Sequence, residues 1–269
     1  MHRFFAPSLD PGDETVALPR DEGEHLTRVL RLGVGETVSV FDGRGHEFLA
    51  RVVAAARRDV QVQLLSRIEP ARESAVSIVL AQAVLKQDKM DDVVRDAVML
   101  GASAVQPLVT RRTEVTAAAL VRGARLDRWR RVALASAKQS RRAVLPEIRT
   151  PLTLESYLAE PPLSLRLMLV EPAASGSGTS GESGGSGGTR EPGGNGGITV
   201  ESMRVLRDLQ QPADVALLVG PEGGWTDGEV LLGAGAGARL LSLGHLTLRA
   251  DAVPVAAISV LQFLWDQPW

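Results

Sequence analysis

Gly220-Pro221-Glu222-Gly223-Gly224 follows the apolar run Val215-Ala216-Leu217-Leu218-Val219 and precedes Trp225-Thr226-Asp227-Gly228-Glu229-Val230. A short apolar run bounded by turn residues reads as a buried strand. Thr226, with Glu229 three residues on, reads as an N-cap with its capping box, so a helix is expected to start there. A strand that breaks on glycines and a proline and then enters a helix presents bare main-chain N–H and C=O groups at the sheet's C-terminal edge. Open α/β folds bind ligands at that edge, and glycine lets a ligand approach backbone atoms that a Cβ would block. The same residues would also serve a tight strand-to-helix turn with no ligand.

Two further strand ends of this kind lie nearby. Leu240-Leu241-Ser242-Leu243-Gly244 is a short strand closed by glycine, followed by His245-Leu246-Thr247-Leu248-Arg249. Upstream, Leu165 to Val170 ends in Glu171-Pro172. Three strand termini of one type predict a single pocket built from neighbouring loops. Ala252 to Trp265 is an apolar stretch that reads as a helix with Asp251 near its start.

From Ser74 onward strands and helices alternate (Val76–Val84, Asp88–Leu100, Ala104–Val109, Leu126–Arg142), which predicts an α/β domain with a largely parallel sheet. Residues 1 to about 70 differ. Val16–Leu18, Glu36–Phe41, Glu47–Val53 and Val60–Leu64 are short runs with partial alternation, and Asp42-Gly43-Arg44-Gly45 is the expected hairpin turn, so a small β-barrel is expected, with one helical piece over His25–Leu32. Residues 173–197 are dominated by glycine and serine and read as a flexible surface insertion. Within it Gly181-Glu182-Ser183-Gly184-Gly185 matches a hydrolase elbow formally, but that motif needs a rigid strand before it and a helix after it. Gly233 to Ala238 imitates a dinucleotide fingerprint in reverse context, after a helix and before a strand.

The 269 residues suffice for two modest domains. With no cysteine, disulfides, thiolate zinc sites and a cysteine nucleophile are excluded. The four histidines, at 2, 25, 46 and 245, share no ligand spacing, so no metal is expected. No signal pattern or membrane span is legible, which makes a cytoplasmic location the expectation. The net charge of -2 does not announce a nucleic-acid binder, but between Arg111 and Arg149 eleven basic residues face three acidic ones. Such a run suits phosphate neutralisation, or a solvated helix surface.

Along most of its length the chain resembles the SPOUT RNA methyltransferases, and within them the bacterial 16S rRNA (uracil-N3)-methyltransferase family. The likeness runs through Met1-His2-Arg3-Phe4-Phe5, His25 to Arg31, Lys86, Pro107 with Arg111 and Arg112, Gln139-Ser140-Arg141-Arg142 with Pro146, Gly220 to Gly224, and Leu243 to Arg249. It implies a PUA-like RNA-holding β-barrel over 1–72 and a SPOUT domain with a trefoil knot over 73–269, active as a homodimer on 16S rRNA or the assembled small subunit. It implies S-adenosylmethionine as methyl donor, held by Leu169, Val170, Glu171, Gly220, Pro221, Gly223, Gly224 and Gly244, with Leu218, Leu243, Leu246 and Leu248 as walls. For catalysis Arg249 would stabilise charge on the uracil oxygens, and Glu222 or Asp251 would accept a proton. Candidate phosphate ligands are Arg3, His25, Arg28, Arg31, Lys86, Arg111, Arg112, Arg141 and Arg142.

The chain departs from the family pattern at Ala250-Asp251-Ala252, where the family has Thr-Glu-Thr, at Lys138, where it has Glu, and over Asp96 to Gly101. Alternatives are a relative acting on tRNA or on a ribose 2′-hydroxyl, and a non-catalytic RNA-binding relative.

Overall fold

The structure, a computed structural model, describes residues 1–56, 59–172 and 199–265. The expected insertion at 173–197 lies outside the described residues. Backbone packing divides the chain into two compact units: Met1–Ser74 with Arg130–Glu147, and Ala75–Trp129 with Ile148–Trp269.

In the first unit β1 (Arg3–Phe5), β2 (Thr15–Ala17), β3 (Thr37–Phe41), β4 (Glu47–Ala56) and β5 (Asp59–Ile68) form one five-stranded sheet in the order β1-β3-β4-β5-β2. β1 runs parallel to β3 and the other pairs are antiparallel. Alternate residues of these strands, with Phe4, Leu9 and Leu26, fill its core. The turn between β3 and β4 needs its glycines, since Gly43 and Gly45 take φ of 78° and 105°. Asp42 braces it, accepting from the N–H groups of Arg44 at 2.7 Å and His46 at 3.1 Å. The helical piece starts earlier than expected, as α1 (Arg20–Glu24), and continues as a π-helical turn, His25–Val29, with Leu30 N–H bonded five residues back to His25 O.

Charged contacts tie Arg130–Glu147 to this sheet. All five guanidinium N–H donors of Arg3 are used: two on the Glu47 carboxylate, and three on the carbonyls of Ala137, Lys138 and Arg142. Lys138 Nζ reaches both Glu22 oxygens at 2.8 and 2.7 Å, and Arg142 pairs with Glu73. The lysine that departs from the family pattern therefore has a buried carboxylate partner.

The second unit contains β6 (Ser77–Ala83), α2 (Lys89–Met99), β7 (Ala104–Val109), α3 (Ala117–Arg122), the start of α4 (Arg125–Gln139), the second residue of the short β8 (Glu147–Ile148), β9 (Leu152–Thr153), α5 (Leu154–Leu158), β10 (Leu165–Leu169), β11 (Glu201–Ser202), β12 (Asp214–Val219), α6 (Asp227–Gly235), β13 (Arg239–Ser242) and α7 (Val253–Trp265). The sheet order is β11-β13-β10-β12-β6-β7-β8, with β9 also on β7. From β11 across to β7 every neighbouring pair is parallel. Its central strands are buried almost throughout, as parallel strands covered on both faces must be.

Candidate functional site

Because β13, β10, β12 and β6 are parallel neighbours, the chain leaves all four at one edge of the sheet. There the loops enclose a cavity of about 310 Å³, at the lower end of the roughly 300–1,000 Å³ usual for small-molecule sites. Residues 169–172, 219–222, 224, 225 and 247–251 line it, together with Lys89 and Val253.

Local hydrogen bonds hold these loops in register. Trp225 Nε1 donates to Leu169 O at 2.8 Å, joining the loop after β12 to the end of β10. Gly224 N–H closes a turn on Pro221 O at 2.9 Å, with Gly224 at φ 68°. A Cβ at Gly224 would stand 2.7 Å from Glu171 Oε1. Buried Gln82 donates to Gly220 O at 3.3 Å, and Arg112 to Gly223 O. The capping box is formed as expected: Glu229 N–H donates to Thr226 Oγ1, and Thr226 N–H to Glu229 Oε2 at 2.8 Å.

Two ion pairs face the cavity. Glu222 Oε1 accepts from Lys86 N–H and Lys89 Nζ, both at 3.1 Å. Arg249 grips Asp251 with Nε at 3.1 Å and Nη2 at 2.7 Å, its side chain otherwise 74% exposed. Burial pushes the Glu222 carboxyl up, but hydrogen bonds from its own backbone N–H, Lys86 N–H and the Lys89 ammonium outweigh it and leave the group below its ordinary value. At Asp251 burial likewise works upward, and the Arg249 bond, its own N–H and the nearby cations turn the net shift downward. Both carboxylates are thus held ionised and weakly basic.

Of the residues singled out from sequence, Leu169, Val170, Glu171, Gly220, Pro221, Glu222, Gly224, Leu248, Arg249 and Asp251 line the cavity. Leu218 lies instead in the core cluster, on the face of β12 that it shares with Ala216. Gly223 packs against Arg112, while Leu243, Gly244 and Leu246 stand outside the lining, Leu246 at 81% exposure. Lys89, Val219, Trp225 and Val253 were not foreseen there, and Thr247 lies within the expected Leu243–Arg249 loop. Trp225 had a signal, its place directly after Gly224, whereas Lys89 had none without the strand order.

Among the residues proposed for RNA, Arg142 is buried and the Arg3 side chain is only 11% exposed, and both guanidiniums bind protein groups, so neither is presented to a phosphate. His25, Arg28, Arg31, Lys86, Arg111, Arg112 and Arg141 are exposed. Arg28 lies 3.7 Å from Glu24 and Lys86 2.6 Å from Glu114. Part of the basic run is neutralised internally, as where Arg128 meets Asp88 and Asp91.

Residues 72–183 and 195–262 match the family model of the RNA methyltransferase domain, and residues 18–65 that of the RNA methyltransferase PUA domain. Ribosomal RNA small subunit methyltransferase E of Synechocystis is 31% identical over 94% of this chain and 75% of its own length. The chain belongs to this RNA methyltransferase family. Its namesake from Rickettsia conorii is 26% identical over 98% of this chain and 96% of its own. Among solved structures, a Legionella pneumophila methyltransferase with bound SAM matches at TM-score 0.81 and 30% identity, over 99% of this chain and 98% of that one. Ribosomal RNA small subunit methyltransferase E of Neisseria gonorrhoeae, bound to S-adenosyl methionine, matches at TM-score 0.78 and 29% identity over 98% of both chains. The fold is thus that of this methyltransferase family, with an α/β catalytic domain and an N-terminal PUA domain. Among the described residues no helix is long and apolar enough to cross a membrane, and no cluster of His, Asp or Glu is placed to hold a metal.

Proposed function

We propose that this protein methylates N3 of a uridine in 16S ribosomal RNA, using S-adenosylmethionine. One observation carries the reading: in a chain of the RNA methyltransferase family, loops from adjacent parallel strands enclose one cavity whose wall is opened by glycine. The residues present fit the donor. Leu169, Val219, Leu248 and Val253 offer apolar walls for a purine ring, and Gly220, Pro221, Glu222 and Gly224 bring backbone groups to its polar edge. Glu171, Glu222 and Asp251 offset the positive charge of a sulfonium. When bound, that group supplies an electrophilic methyl carbon and leaves as a neutral thioether.

This chain's own residues do the rest. Attack by N3 requires loss of its proton, and negative charge then spreads onto the uracil oxygens. Arg249, exposed at the cavity mouth, is the group that meets this charge. Glu222 and Asp251 position the cations and are poor proton acceptors in their ionised, hydrogen-bonded state. The exposed cations Arg28, Arg31, Arg111, Arg112 and Arg141 hold the RNA backbone, and the target base leaves its stack to enter. The protein works in the cytoplasm as a homodimer, a state favoured by the apolar Phe263, which stands 82% exposed on α7.

Calorimetry with S-adenosylmethionine tests the donor site, and absence of binding with and without RNA would refute it. Nucleoside mass spectrometry of RNA from a deletion strain tests the product: loss of N3-methyluridine is expected, and loss of a ribose methyl instead would overturn the base assignment.

A further inference from the structure

Lys89 occupies a position that local helix energetics disfavour. It is the first residue of α2, so its ammonium sits at the positive end of the helix dipole, and Asp88, the N-cap, makes no side-chain capping bond. The loop that delivers it contains Gln87 at φ 53°, a left-handed conformation that costs a non-glycine residue on the order of 1 kcal/mol. Departures from local consistency of this kind concentrate at functional sites.

Lys89 lines the donor cavity, and its ammonium meets Glu222, another lining residue. Glu222 anchors it at 3.1 Å and takes one of its three N–H groups, which leaves two to donate. Glu222 is itself fixed by the Lys86 N–H, so the amine is held by a braced carboxylate. Arg249, Asp251 and Glu171 line the same cavity from other loops, and Lys86 precedes it on its own. Arg249 is drawn toward Asp251 and largely solvated, while the Lys89 side chain is only 33% exposed and therefore less screened.

We propose that Lys89 is a second catalytic cation, donating to a carbonyl oxygen of the target uracil as N3 loses its proton. The proposal rests on the methyltransferase reading above. In this step the N3–H bond breaks, the proton passes to water, and the electron pair left on N3 delocalises onto O2 and O4. An ammonium against one of those oxygens stabilises the anion and lowers the pH at which N3 becomes nucleophilic. Lys89 and Arg249, which line the same cavity, then share the stabilisation of the anion.

The test uses the full-length protein with Lys89→Met and Lys89→Arg. Donor binding is measured by calorimetry, and single-turnover methylation of 16S RNA is followed from pH 6 to 10. Lys89→Met is expected to bind the donor within about threefold of wild type, yet to transfer methyl about 100-fold more slowly, the range for loss of one oxyanion donor. The rising alkaline limb of its rate profile should move to higher pH, and Lys89→Arg should restore much of the rate. A second readout needs no turnover. With the demethylated product in the pocket, wild type should bind RNA carrying 5-fluorouridine at the target, whose N3 proton is more acidic, more tightly than uridine RNA at pH 8.5. Lys89→Met should weaken that preference. A Lys89→Met rate and pH limb like wild type, or weakened donor affinity with an unchanged transfer rate, would overturn the proposal. Failure of wild type itself to bind donor would remove the underlying reading and the proposal together, and is distinguished by the calorimetry alone.

Discussion

Replacing Arg3 by Met separates a structural from an RNA-binding role for this residue. In the structure its side chain is 11% exposed and that of Glu47 7%, with the two joined by paired bonds at 2.9 and 2.8 Å. Arg3→Met leaves the Glu47 carboxylate buried without its cation, and the Lys138 and Arg142 carbonyls without their guanidinium donor. Breaking a buried pair from one side costs about 3–5 kcal/mol. For a unit of this size roughly 4–8 °C of melting temperature goes with each kcal/mol, so the first unit should melt about 12 °C or more below wild type. Scanning calorimetry and urea titration measure this. Adding Glu47→Leu should recover most of the loss, since an apolar pair carries no stranded charge. The salt dependence of RNA binding, measured below the melting range, should keep its slope. A phosphate ligand would behave oppositely, with unchanged stability and a slope shallower by about one. That pattern would refute the structural account.

Gly224→Ala forces an L-residue to φ 68° and sets its Cβ 2.7 Å from Glu171 Oε1, so donor affinity by calorimetry should fall about tenfold with a loss of roughly 1–2 kcal/mol in stability; undiminished affinity would place the donor elsewhere. Lys138→Glu brings a second carboxylate against buried Glu22 and should cost at least about 3 kcal/mol in urea unfolding, with much of it returned by the reciprocal Glu22→Lys. At Asp42 burial pushes the carboxyl up, but bonds from the His46 ring and the N–H groups of Arg44 and His46 leave it below the ordinary 3.8. A depressed folded value means that the unfolded chain binds the proton more readily, so this stabilisation is complete above the ordinary value and disappears as pH falls through the folded one. Melting temperature between pH 2 and 6 should show that acid loss in wild type and a flatter acid limb in Asp42→Asn.

Local chemistry made the strand ends readable. An apolar run, a glycine break and a Thr226–Glu229 cap are short-range signals, and β12, its loop and α6 follow them within a residue. Lys89 was invisible for the opposite reason. Its entry into the cavity depends on β6 lying beside β12, a pairing across more than 130 residues that no periodicity encodes. Alternation could place Leu218 on a strand but could not say which face met the ligand. Arg3 and Arg142 read as exposed cations because charge usually means surface, and only the fold reveals that Glu47 and Glu73 sit opposite them. The family likeness supplied the donor and the target base, which geometry alone would have left as a polar cavity at a sheet edge.

The first unit is stitched from Met1–Ser74 and Arg130–Glu147, and this discontinuity has a consequence during synthesis. A nascent chain paused at residue 74 carries the β-sheet but lacks the lysine and arginine that neutralise Glu22 and Glu73, and the carbonyls that Arg3 caps. At about 5–20 residues per second the missing piece is translated roughly 4–15 s later. Over that interval the ribosome holds an unfinished sheet with uncompensated acidic groups. A fragment cut at the apparent boundary would stay in that state permanently.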